Sequence, residues 1–198
     1  MAYNRRQRNI FGVSHASDDI SEVVEALNGR RVFKAALELP GDFRDREGNP
    51  HWLFFTPLER HFARSGTQVI PIDDPALRMP GSLHLAMHVV RGDIAVAAIH
   101  EGIEVLERRL DDMEYQPPDA TMETRRVLRE HMDALDVLAA GDVSARWTRA
   151  NRLREIHMLK EILRTDPDVV VVGAAHAREL AKTLRGYDYT QLSSAYNP

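Results

Sequence analysis

Asp168-Val-Val-Val-Val-Gly-Ala-Ala-His176 sets four valines in a row ahead of a glycine and a histidine. Four consecutive valines leave no polar face for water, so the run reads as a strand covered on both sides, the pattern of a parallel sheet sandwiched by helices. Gly173 ends the run and is read as the residue that lets the backbone turn sharply. The helical pattern that follows places His176 in a strand-to-helix crevice, where open α/β sheets bind ligands.

The same arrangement recurs near the start, where the apolar run 8–14 ends in Gly12-Val-Ser-His15. Ile20, Val23, Val24 and Leu27 then fall at helical spacing, with Ser17 or Asp18 as cap and Gly29 as terminator. Lys34-Ala-Ala-Leu-Glu-Leu-Pro40 is a second strand whose one acid, Glu38, lies near its carboxyl end. Residues 41–51 are polar and rich in turn formers, which predicts a long loop suited to a lid. A helix over about Trp52–Ser65 leads to a third strand, Gln68–Asp74, in which Pro71 demands an edge position or a bulge.

From about 76 to 165 strand signals vanish. Val96, Ile99, Ile103, Leu106 and Leu110 repeat three and four apart, as do Leu128, Met132 and Leu135, and then Leu153, Ile156, Leu159 and Leu163. Pro117-Pro118 and Ala139-Ala-Gly-Asp142 divide the stretch into antiparallel hairpins. The expected architecture is therefore a single α/β domain over 1–198, with a mostly parallel central sheet flanked by helices and a helical insertion at about 76–165, before the valine strand. A short helix through Leu180 and Leu184 and a last strand at 187–192 close the chain.

The charge balance removes some partners. A net charge of −4 gives no electrostatic pull toward nucleic acid or an anionic membrane, and Arg5-Arg6-Gln-Arg8 reads as a solvated arm. With no cysteine, thiol catalysis, disulfides and cysteine-based zinc sites are excluded. No apolar segment reaches the length of a signal-peptide core or a membrane span, so the expectation is a soluble cytoplasmic protein, with a homo-oligomer left open.

Four residues at strand ends carry the candidate chemistry. His15, Glu38, Asp73 and His176 each end or follow a strand, and a parallel sheet brings such ends to one edge. Two imidazoles with one or two carboxylates are the makeup of a divalent-metal site that keeps positions open for water. His84 and His88 are four residues apart on a helix but lack an intervening acid base, so they read as helix-face or core histidines, and His100, Glu101 and His157 read as local. Ser14 lacks the surroundings of a hydrolase nucleophile. Arg154 lies off the apolar seam of its helix, and spacing alone leaves open a surface cation or a charge aimed into the crevice.

In this order the motifs resemble the TraB/Tiki group, more loosely the ChaN-like and erythromycin-esterase-like proteins. The resemblance rests on Gly12-Val-Ser-His15, Glu38 in Ala36-Leu-Glu-Leu39, Asp73 before Asp74-Pro75, Arg154 with Met158, Gly173-Ala-Ala-His176 and Leu184-Arg-Gly-Tyr187. It implies a compact α/β fold and, in the Tiki branch, a divalent-metal-dependent peptidase. There His15 and His176 would bind the metal, Mn, Co or Zn. Glu38 would be a ligand or the base for a metal-bound water, and Arg154 would orient a substrate carboxylate or stabilise an oxyanion. The chain departs from the pattern at Glu155, where relatives carry Asn or Asp, at Asp74, and at Arg44, which is displaced; these departures bear on substrate class. The expectation is a metal-dependent hydrolase of peptides or small molecules. The alternative is a non-catalytic module of the same fold for a peptide signal or haem, and a third reading is an assembly protein with a vestigial site.

Overall fold

The computed structural model describes residues 7–14, 19–40, 54–77, 79–113 and 118–192. The proposed ligand His15, the caps Ser17 and Asp18, Arg44 and the whole of the expected lid lie outside these residues. The described chain forms two compact units, one from residues up to Leu77 together with those from Leu153 on, the other from Arg78–Arg152.

The first unit is built on a parallel sheet of β1 (Arg8–Val13), β2 (Lys34–Pro40), β3 (Gln68–Asp73), β4 (Val169–Gly173) and β5 (Tyr187–Gln191), in the order β3-β2-β4-β1-β5. The valine strand is central, as its composition requires. Val170 and Val171 have no exposed surface, and each belongs to a different core because successive side chains alternate across a sheet. Val169 and Val171 join Phe11, Leu37 and Leu39 under α1 (Ser21–Ala26) and α2 (Phe55–Arg64). Val170 and Val172 join Ile10, Ala36 and Ile72 with Met158 and Ile162 of α6 (Val143–Thr165) and Ala177 and Leu180 of α7 (Ala174–Ala181). This is the α/β class expected, with every described strand pair parallel. Pro71 sits on the edge strand β3, and the β2–β3 register shifts between Leu37 and Pro40, so the missing N–H is absorbed by an edge and an irregularity together.

Asp168 anchors the amino ends of three strands. Its Oδ2 accepts from the backbone N–H of Phe33 at 2.8 Å and Lys34 at 3.0 Å, while its own carbonyl accepts from Asn9 N–H at 3.1 Å. Opposite it, the turn out of β4 corrects an expectation. Gly173 has φ −55 and ψ 144, extended backbone that any residue adopts, so the turn into α7 does not need glycine's freedom.

The second unit is helical: α3 (Gly81–Arg91), α4 (Val96–Asp111), α5 (Pro118–Ala140) and the first turns of α6. Leu83, Ala86, Val137 and Val143 form its core with Met87 and Trp147 packed against them. The α5 to α6 connection is made by Gly141 (φ 73) and Asp142 (φ 55), two left-handed residues in succession where the sequence predicts punctuation. Among the described residues no helix is long and apolar enough to cross a membrane.

Helix seams differ most from expectation. In α6 the row Arg154, Met158, Ile162 is buried, and Leu153, Ile156 and Leu163 are exposed by 48%, 39% and 65%. In α5 Met132 is likewise exposed, and Thr124, Ala134 and Val137 turn inward.

Candidate functional site

The carboxyl ends of β2, β3 and β4 meet the buried seam of α6, and there five ionisable side chains converge. Glu38 shares its side of β2 with Ala36, whose partners are the residues of α6 and α7, so the one acid in that apolar strand faces Arg154. Arg154 donates from Nη2 to Glu38 Oε1 at 2.9 Å and to Asp73 Oδ1 at 3.0 Å, and from Nε to Asp73 Oδ1 at 3.2 Å. Glu38 Oε2 accepts the backbone N–H of Gly173 at 2.6 Å, at the start of α7, where the helix dipole favours an anion.

His176 completes the group. Glu155 Oε1 lies 3.3 Å from Nδ1, and Arg154 Nη1 lies 3.4 Å from Nε2. A carboxylate only accepts and a guanidinium only donates, so the neutral ring carries its proton on Nδ1 and offers the Nε2 lone pair to Arg154. Burial pushes the His176 pKa down, but the Glu38 carboxylate and the Glu155 hydrogen bond outweigh burial and the opposing Arg154 charge, and the net shift is upward. Burial also opposes the charge on Arg154, and Glu38 and Asp73 more than restore it, so its pKa is raised.

Side-chain exposure orders the group from the inside out. It is 0% for Glu38, 1% for Asp73, 9% for Arg154, 10% for His176 and 12% for Glu155, so the imidazole and its carboxylate form the least buried end of the group. The arrangement can hold a cation-stabilised hydrogen-bond donor beside an oriented imidazole.

Of the residues proposed from sequence, Glu38, Asp73, Arg154 and His176 come together, and His15 lies outside the described residues. The β1–β4 register pairs Val13 with Gly173, so β1 ends at this same edge. Arg154 is on the buried seam of its helix, not off it; an arginine at the head of the i, i+4 row with Met158 and Ile162 is the sequence signal for that placement. Glu155, noted before only as a departure from a family pattern, contacts the ring nitrogen of His176, and no sequence rule singles it out.

The described residues do not by themselves make a seat for a divalent ion. A guanidinium already bridges Glu38 and Asp73 and faces the Nε2 of His176, supplying the positive charge those carboxylates need. Among the described residues no three His, Asp or Glu side chains are arranged to hold an ion. Compared with protein-family models, with curated proteins and with solved structures, the chain matches none.

Proposed function

We propose that the chain is a hydrolase acting on a carbonyl-centred bond, most readily a peptide amide, with its centre at Arg154, Glu38, Asp73, His176 and Glu155. One observation supports this reading above the others: ionisable groups from four distant chain segments converge at the carboxyl edge of a parallel sheet, with an imidazole oriented by a carboxylate at the least buried end. In hydrolysis the attacking water displaces Arg154 Nη1 from Nε2 of His176, which takes the water's proton and returns it to the leaving amine, and Glu155 holds the ring in the required tautomer. Arg154, fixed by Glu38 and Asp73, faces the negative charge that develops on the carbonyl oxygen. The TraB/Tiki resemblance adds a divalent ion, Mn, Co or Zn, which would lower the pKa of a bound water; that version rests on His15 joining His176 and Glu38.

The alternative, a non-catalytic module for a peptide signal or haem, is favoured by the depth at which Arg154 pairs with Glu38 and Asp73. One assay separates the readings. The purified chain is incubated with fluorogenic peptides and esters, with chelator and with added Mn, Co or Zn, alongside His176→Ala, Glu155→Gln and Arg154→Lys. Turnover that falls about 10²-fold or more in His176→Ala, at unchanged far-UV circular dichroism, supports the hydrolase. Chelator-sensitive turnover that each metal restores supports the ion. No turnover under any condition, or a fully active His176→Ala, sinks the proposal.

A further inference from the structure

The helical unit carries a second group of imidazoles, remote in sequence from the residues above. His84 and His88 are one turn apart on α3, with ring centres 4.9 Å apart. Each ring is held by a neighbour. His84 stacks on Trp147, centres 5.2 Å apart and planes 25° apart, and Arg91 covers that indole at 5.1 Å. His88 Nδ1 lies 2.7 Å from Asp93 Oδ2. The backbone dictates that last contact: Gly92 takes φ 81, Gly92 N–H bonds to Val89 and Asp93 N–H to His88, closing α3 so that Asp93 folds back onto His88.

We propose that His84 and His88 chelate a divalent late transition-metal ion, with copper, zinc or nickel as its class and water completing the coordination. Metal–nitrogen bonds of about 2.0–2.1 Å place two rings on one ion with centres about 4.5–5 Å apart, which matches the spacing on α3. Imidazole pairs favour these metals over magnesium or calcium. With Nδ1 of His88 engaged by Asp93, Nε2 is the nitrogen presented to an ion, and a carboxylate behind a ligating histidine fixes its tautomer and raises its basicity. The His88 and Asp93 side chains are 40% and 50% exposed, so an ion reaches them from solvent.

The test uses the full chain, free of any polyhistidine tag, titrated with Cu(II), Zn(II) and Ni(II) while tryptophan fluorescence is followed. Because Trp147 stacks on His84, Cu(II) at the site quenches it. The expected result is one equivalent bound per chain, lost in His84→Ala and in His88→Ala. Asp93→Asn should weaken binding by about 10–100-fold. Trp147→Phe should keep the binding, read by equilibrium dialysis, and lose the quench. His100→Ala, at an exposed position of α4, should behave as wild type. Failure to bind one equivalent, or binding that survives both histidine substitutions, overturns the site.

Discussion

Arg154 is a buried cation whose position is fixed by two carboxylates from different strands. Removing one member of such a group leaves an uncompensated charge and typically costs about 3–5 kcal/mol, although the whole set need add little net stability. The group therefore serves to position charge. His176 carries the clearest pH signature. Its folded pKa lies above its unfolded value, near 6.5, so its protonation stabilises the native state fully below that value, and this contribution disappears as pH rises through the folded pKa. Urea midpoints for wild type and His176→Gln, taken from about pH 5.5 to about pH 8.5, are expected to differ most at the acid end and to converge toward the alkaline end. A difference that stays constant would remove the coupling to Glu38 and Glu155.

At the scale of elements, the approach of α7 to β1 depends on Gly12. A Cβ there would meet Ala174 Cα at 3.1 Å and Ala177 Cβ at 3.1 Å. Neither atom can swing aside, so Gly12→Ala is expected to shift α7, which carries His176, and to destabilise by about 1–3 kcal/mol. Ala177→Gly in that background should recover part of the loss in denaturant melts; a Gly12→Ala protein as stable as wild type would refute the close-packing account. The glycine was legible in the sequence, but as half of a motif, not as a packing contact. The valine strand was legible because an unbroken apolar run admits one placement. Glu38 and Asp73 were legible because an acid in an apolar strand needs a partner. Helix faces were less so: α6 offers Leu153, Ile156 and Leu163 as one seam and Arg154, Met158 and Ile162 as another, and only the strand-end acids decide for the seam that contains an arginine. Glu155 could not be read, since its role depends on the ring of His176, 21 residues away.

At the scale of the molecule, each unit has a core of its own. Val137 lies in the helical core and Val171 in the sheet core. Truncating either to Ala removes about 2 kcal/mol or more. Amide exchange is expected to speed up first in α3 and α5 for Val137→Ala, and first in β1, β2 and β4 for Val171→Ala. Equal acceleration everywhere would mean one cooperative unit in place of two. The strand order has a further consequence, for how the chain is made. β4 lies between β2 and β1, yet it is separated from them in sequence by the whole helical stretch. While the chain leaves the ribosome, β1 and the β2–β3 pair must wait, edges open, for the strand that joins them, whereas helices α3 to α5 find their partners locally and early. Synthesis thus sets a late step at the four valines, and the catalytic edge proposed here comes into being only when that strand slides into its gap.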